Sequence, residues 1–321
     1  MKEMSEFKKM SFVIPCYRSE KTILTVVDEI EQTMRQRNKM AYEIILVNDG
    51  SPDNVWNVIV DKAQNDEHII GINLARNFGQ HSALMAGYNH CTGDCVVSLD
   101  DDGQTPSNEV FSLLDELKKG YDVVFASYPE IHQNIFRRWG SAMAKKLSDY
   151  MFDIKDDNRT GSSYFICRRF IIDEIIKYNH SYPYIGGLLL RATRNFGVVS
   201  IQHRDRLMGK SGYNLRSLFS LWLNGFTAFS VKPLEIGAYV GFGMALLGFL
   251  YAVYTIIRRL LNPAMVQGWS SLIAITLIIG GIIMIMLGLI GEYIGRIYIC
   301  INNSPQYVIK NVCGQNHESK K

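Results

Sequence analysis

Val96-Val97-Ser98-Leu99-Asp100-Asp101-Asp102-Gly103-Gln104-Thr105-Pro106 sets a short apolar, β-branched run against three consecutive carboxylates. Residues 96–99 read as a strand buried in a parallel sheet, where near-continuous apolar runs replace alternation. Gly103 and Pro106 end it. Three carboxylates at the tip of a buried strand repel one another, so the arrangement calls for a neutralising partner. In extended chain, alternate side chains share a side, which lets Asp100 and Asp102 converge on one cation while Asp101 turns elsewhere. Hard oxygen donors suit Mg²⁺ or Mn²⁺, and Mg²⁺ commonly completes its shell with substrate phosphates. A solvated acidic turn is the other reading of the same residues, and the rest of the chain bears on the choice.

That strand is the fourth in an alternating series. Residues 11–15, 42–48, 69–73, 95–99 and 122–127 read as strands, and 21–38, 51–65, 81–89 and 108–119 as helices. Single helices between strands imply right-handed crossovers and an α/β fold, a mostly parallel sheet covered on both faces. Ligands in such sheets bind beyond the carboxyl ends of the strands. Pro15-Cys16-Tyr17, Asn48-Asp49-Gly50 and the Asp100-Asp101-Asp102 run all fall there, three polar tips making a crevice suited to a nucleotide.

The 321 residues carry a net charge of +3 with 20% charged, too mild a balance for a nucleic-acid partner. The average hides a division. Up to about residue 229 the chain is an ordinary soluble mixture, whereas residues 234–257 and 270–290 are almost free of charge. Each run has about 20 residues or more, enough to cross a hydrocarbon core of about 30 Å as a helix. Gly237, Gly241, Gly243 and Gly248, with Gly280, Gly281, Gly288 and Gly291, allow close approach between helices and between copies of the chain. Two such runs in tandem read as a membrane hairpin rather than a buried soluble one.

Residues 258–269 join the two runs, so both hairpin ends lie on one side of the bilayer. Arg258 and Arg259 sit in the connection, against Lys232, Arg296, Lys310, Lys320 and Lys321 on the other side. No signal peptide is legible, since the apolar residues 10–14 are too few and Pro15 ends them. The large domain is therefore expected in the cytoplasm. Cys16, Cys91, Cys95, Cys167, Cys300 and Cys313 show no zinc-like pairing and read as small hydrophobes in a reducing compartment.

Two amphipathic stripes precede the hairpin. Phe136, Trp139, Met143, Leu147 and Tyr150 oppose Arg137, Arg138, Lys145 and Lys146, while Leu215, Leu218, Phe219, Trp222, Leu223 and Phe226 repeat at helical spacing. Core packing accounts for either stripe. The basic face of the first and the position of the second favour helices lying in the bilayer interface. The expected organisation is a catalytic domain at 1–213, an interfacial helix at 214–231, the hairpin at 232–299 and a cytoplasmic tail at 300–321.

Four ordered motifs carry a resemblance: Val13-Ile14-Pro15-Cys16-Tyr17, the run from Glu43 to Ser51, Arg76-Asn77-Phe78-Gly79-Gln80, and the run from Leu99 to Pro106. Together they resemble family 2 glycosyltransferases of the GT-A fold. Gly291-Glu292-Tyr293-Ile294-Gly295-Arg296-Ile297-Tyr298 closes a hairpin similar to that of bacterial polyprenyl-phosphate glycosyltransferases, including bactoprenol glucosyltransferases and the undecaprenyl-phosphate aminoarabinose transferase. Dolichol-phosphate mannose synthase is a more distant relative.

The resemblance implies transfer of a sugar from a nucleotide sugar, with a uridine diphosphate donor, to polyprenyl phosphate with inversion, in the bacterial cytoplasmic membrane. It implies that Pro15, Tyr17, Asp49 and Asp100 hold the nucleotide and that Asp100, Asp102 and Gln104 bind Mg²⁺ or Mn²⁺. Within Arg206-Leu207-Met208-Gly209-Lys210-Ser211-Gly212-Tyr213 it assigns Arg206 and Ser211 to phosphate oxygens, with Lys210 near them. Arg137 and Arg138 match basic residues that capture the lipid phosphate. The family's acidic residue, often assigned as base, aligns with Arg159; Asp156 and Asp157 lie close, and Asp157 is the candidate. A glycerolipid hydroxyl as acceptor, which requires a true base, and a catalytically silent membrane scaffold are the alternatives.

Overall fold

The computed structural model describes residues 7–36, 40–128, 162–201, 232–261, 269–302 and 304–314. They fall into two units, one built on a sheet and one on two long helices.

The sheet unit opens with β1 (Lys9–Cys16), α1 (Ile23–Gln36), β2 (Ala41–Asn48), α2 (Val55–Asn65), β3 (Ile69–Leu74), α3 (Gln80–Tyr88) and β4 (Cys95–Ser98). Next come α4 (Val110–Lys118), β5 (Val123–Ser127), β6 (Phe165–Arg168), α5 (Arg169–Ile175), α6 (Ile185–Ala192) and β7 (Phe196–Ser200). A final strand, β8 (Ile309–Cys313), comes from beyond the long helices. The strand order is β7-β5-β6-β4-β1-β2-β3-β8. β3, β2, β1 and β4 run parallel, as the alternating sequence requires. β6 enters antiparallel between β4 and β5, β8 pairs antiparallel with β3, and β7 is parallel to β5.

Both faces are covered, which is why the central strands are apolar throughout. Met10, Phe12, Ile14 and Cys16 of β1 join Val27 and Ile30 of α1 and Leu113 of α4 in one core. On the opposite face α3 lies so close that a Cβ at Gly87 would collide with Val13 Cγ1. At the amino edge, Glu43 is buried yet ionised: Lys9 Nζ reaches Oε2 at 2.6 Å, and Ser11 and Thr92 donate to the same carboxylate. Burial opposes its charge, but these hydrogen bonds outweigh it and lower the pKa. The helix expected from residue 51 begins instead at Val55, because Asp53 folds the preceding turn. Its carboxylate accepts from Ser51 Oγ (2.6 Å), Glu20 N (3.0 Å) and Val55 N (3.4 Å).

After the long helices the chain is sewn to this unit before β8 begins. Ser181 Oγ donates to Ser304 O (2.6 Å), and Gln306 Nε2 to Tyr178 O (3.0 Å) and His180 O (2.9 Å). Ala75 N–H then donates to Val308 O at 2.8 Å.

The second unit contains α7 (Lys232–Leu261) and α8 (Trp269–Ile301). Within α8, the 18-residue window Ile278–Gly295 is long and apolar enough to cross a membrane, and 0% of it is buried. The apolar run in α7, Gly237–Tyr251, is shorter, so length and composition establish one of the two expected spans. Phe242, Leu247, Phe249, Met284, Ile285 and Ile297 are exposed and call for an apolar surrounding. The helices meet where a Cβ on Gly237 would collide with Met286.

Candidate active site

Parallel pairing aligns the three polar tips, since Cys16 is level with Asn48 and Val13 with Ser98. Asp49 N–H donates to Cys16 O (3.1 Å) and Leu99 N–H to Val13 O (3.4 Å), so the tips of β1, β2 and β4 form one edge. Pro15 is buried in β1, whereas Tyr17 beyond it is 43% exposed. A cleft of about 570 Å³ opens there, lined by Tyr17, Arg18, Lys21, Asp53, Asp101 and Asp102. A larger one of about 800 Å³ lies at the opposite edge, around Tyr42 and His68. The topology places ligands at the carboxyl edge, and the smaller cleft is the candidate site.

The three carboxylates take three different positions. Asp101 turns inward and accepts from Tyr17 N–H (2.9 Å), while its backbone carbonyl accepts from Thr22 Oγ1 (2.7 Å). Burial raises its pKa to about 6, and the charge of Asp100 pushes the same way. Asp102 stays at the rim, with Oδ1 accepting from Gln104 N–H at 3.1 Å. Asp100 is held by two distant elements: Gln80 Nε2 donates to Oδ1 (2.8 Å), and Ser163 Oγ donates to Oδ2. Burial pushes the Tyr128 phenol up, and the charges of Asp100 and Asp102 add to the shift. Asp101, bonded to Tyr17 N–H, shares the lining of the cleft with Asp102.

Asp49 is 3% exposed and braces a neighbouring loop. Its carboxylate accepts from Phe78 N–H (2.7 Å) and Gly79 N–H (2.9 Å), and its carbonyl from Asn77 Nδ2 (3.1 Å). Burial raises its pKa despite those bonds. The same loop crosses Gly50, which has φ +58°. Among the described residues, no three His, Cys, Asp or Glu side chains gather closely enough to hold a metal ion alone. Asp100, Asp102 and the Gln104 amide are a hard-oxygen set that fits Mg²⁺ or Mn²⁺ once phosphate oxygens complete the shell.

His81 follows Gln80 in the first turn of α3, edge-on to the Tyr184 ring with centroids 5.3 Å apart. Its Nδ1 is buried without a hydrogen-bond partner, and burial lowers its pKa to about 4. An unfolded imidazole titrates near 6.5, so the unfolded chain takes up a proton that the folded one resists. This contribution is whole above about pH 6.5 and is lost as pH falls toward 4, about 3 kcal/mol in all. Denaturant titrations should show wild-type stability falling across that window, with a flatter profile for His81→Phe. Equal slopes in the two proteins would remove His81 as the cause.

The structure places Tyr17, Asp49, Asp100, Asp102 and Gln104 beyond the carboxyl ends of β1, β2 and β4, with Tyr17 and Asp102 lining the cleft and Pro15 buried within β1. Arg137, Arg138, Asp156, Asp157, Arg206, Lys210 and Ser211 lie outside the described residues, as do both amphipathic stripes. Three residues at the site carried no role in the sequence. Gln80 ends a quoted motif and Ser163 follows a long connection, so neither advertises its contact with Asp100. Arg18 adopts φ +60°, with its N–H donated to Ser51 Oγ (2.8 Å) and its guanidinium 5.4 Å from the Tyr17 ring centroid.

Comparison with known proteins bears on the family and the fold. Residues 232–297 match the family described as GtrB C-terminal hairpin. Over 97% of this chain and 96% of the other, the sequence is 32% identical to a Bacillus subtilis (strain 168) protein described as an uncharacterized glycosyltransferase, YkcC. It is 33% identical to the undecaprenyl-phosphate 4-deoxy-4-formamido-L-arabinose transferase of Yersinia pestis (strain Pestoides F), over 96% of this chain and 94% of that one. Among solved structures, glucosyl-3-phosphoglycerate synthase from Mycobacterium tuberculosis, in complex with Mn²⁺, UDP-glucose and phosphoglyceric acid, superposes with a TM-score of 0.50 at 19% identity. That match covers 67% of this chain and 76% of the other, and it shows a shared fold. Residues 11–176 match Glycosyl transferase family 2, and with relatives this similar over nearly their whole length the chain belongs to that family of glycosyltransferases.

Proposed function

We propose that the protein moves a sugar from a UDP-linked donor to the phosphate of a polyprenyl lipid such as undecaprenyl phosphate, inverting the anomeric carbon. The observation that carries this is one carboxyl edge of the sheet, where the tips of β1, β2 and β4 set Tyr17, Asp49 and the Asp100-Asp101-Asp102 run side by side, in a chain that also has an apolar helix long enough to span a membrane. The acceptor is read from the named Yersinia relative, and the metal and donor from the Mycobacterium structure. Both helices cross the bacterial cytoplasmic membrane in this reading, with the catalytic unit on the cytoplasmic face.

Tyr17, Pro15 and Asp49 hold the nucleoside, and Asp100, Asp102 and Gln104 hold a divalent ion against the diphosphate. A bound Mg²⁺ or Mn²⁺ supplies charge neutralisation for the departing nucleotide, an effect of several kcal/mol. Arg206, Lys210 and Ser211 face phosphate oxygens, and Arg137 and Arg138 take the lipid phosphate. A phosphate oxygen attacks the anomeric carbon as the bond to the diphosphate breaks and UDP departs. With a second pKa of about 6 the acceptor is largely a dianion at neutral pH, so Asp157 assists rather than being required.

Detergent-purified protein should release nucleotide from one UDP-sugar, dependent on undecaprenyl phosphate and on Mg²⁺ or Mn²⁺, and lose this in EDTA. Release only with a glycerolipid acceptor, or from GDP-sugars alone, would overturn the assignment.

A further inference from the structure

The Asp100 carboxylate is gripped from two sides by residues far from it in sequence. Gln80 opens α3 and donates from 20 positions upstream, and Ser163 precedes β6 and donates from 63 positions downstream. A carboxylate at a strand tip otherwise turns about two side-chain bonds, and ordering it for a ligand costs free energy each time the ligand binds. Both donors are neutral, so they fix the orientation of Asp100 without cancelling the charge that a cation needs. A guanidinium or ammonium in the same place would fix it and compete with the cation at once.

Gln80 is itself placed by the nucleoside side of the crevice. Asp49 accepts from Phe78 and Gly79 N–H, and Gly79, at φ +91°, turns the chain into α3 so that Gln80 is its first residue. The start of β6 is fixed as well, for Tyr164 N–H donates to Ser162 Oγ (3.2 Å) and Tyr164 Oη to Pro106 O (3.3 Å). A line of hydrogen bonds therefore runs from the tip of β2 through the 77–80 turn to the tip of β4, and on to β6.

We propose that Gln80 and Ser163 are positioning residues for the divalent cation: by holding Asp100 in a set orientation near Asp102, they govern how tightly the pair takes the ion. Neither residue touches the ion or the sugar. This rests on the metal-dependent reading given above. Outer donors of this kind are commonly worth 10–100-fold in metal affinity.

The test measures Mn²⁺ binding to the purified full-length protein in saturating UDP by the electron paramagnetic resonance of free Mn²⁺, beside UDP binding in EDTA and thermal melting. Gln80→Ala and Ser163→Ala should each weaken Mn²⁺ about 10-fold or more, while Ser163→Thr, which keeps the hydroxyl, stays near wild type. UDP affinity in EDTA and the melting temperature should not move, which a loss of fold would not permit. If Ser163→Ala fails to fold, Gln80→Ala carries the test alone, because Gln80 is exposed. Wild-type Mn²⁺ affinity in both alanine variants overturns the inference and leaves the metal-dependent reading standing. A wild type that binds UDP but no Mn²⁺ overturns both.

Discussion

Asp102→Ala should reduce sugar transfer about 1,000-fold and leave the fold unchanged. The Asp102 side chain is only partly buried at the rim, and it accepts a hydrogen bond from Gln104 N–H inside its own turn. In the metal-dependent reaction proposed above, what goes is one of the two carboxylates that would hold the cation, and a metal's stabilisation of a leaving group amounts to several kcal/mol. Each 1.36 kcal/mol is a factor of ten in rate, so about 4 kcal/mol gives the expected loss. Asp101→Asn is the contrast. Asp101 serves the Tyr17 N–H, an asparagine oxygen can accept the same bond, and the expected loss is about tenfold. Radiolabelled sugar transfer to lipid, read beside melting temperatures, separates the two. If Asp101→Asn is as damaged as Asp102→Ala, the assignment of roles within the acidic run is wrong.

Gly50→Ala should cost about 2–4 kcal/mol of stability and abolish nucleotide binding in the protein that still folds. Gly50 has φ +58°, where a side chain is strained, but strain is the smaller part. A Cβ there would sit 2.5 Å from Asn77 N and 2.9 Å from Arg76 Cα, and backbone atoms cannot swing aside as a side-chain end does. Relief requires the 76–79 loop to lift, and that loop supplies the N–H groups held by Asp49 and leads into Gln80. Gly120→Ala calibrates the strain alone: φ there is +110° with nothing within 4 Å of a Cβ, and about 1–2 kcal/mol is expected. Calorimetric melting and UDP titration check both variants. Equal costs at the two positions would mean that the close approach over Gly50 contributes nothing.

The central strands were legible because burial on both faces leaves an unbroken apolar run that stops at a polar tip. Phe12, Val13, Ile14 and Ile44, Ile45, Leu46, Val47 carry that signal, and the parallel order of β1, β2 and β4 follows from the intervening helices. The rest depends on contacts between distant residues. A strand beginning near Ser162 was legible through the resemblance, but its antiparallel pairing with β4 across a long connection is one that no short-range period announces. β8 is mostly exposed, and Ile309-Lys310-Asn311-Val312-Cys313 has too little apolar pattern to read as a strand. Gln80 and Ser163 reach Asp100 only through the folded sheet. The roles given to Arg137, Arg138, Asp157, Arg206, Lys210 and Ser211 rest on resemblance to the family's motifs.

The edge strand β8 also fixes an order of assembly. A chain leaves the ribosome from its amino end, so β1 to β7 emerge before α7 and α8, and residues 309–313 come after both. Until then β3 has a raw flank: Gly71, Ile72, Asn73 and Leu74 are the residues that pair with β8 in the finished sheet. Open flanks of this kind template pairing with other nascent chains. The sheet is thus last to close at its most adhesive margin, and it does so only after the long apolar helices have been synthesised.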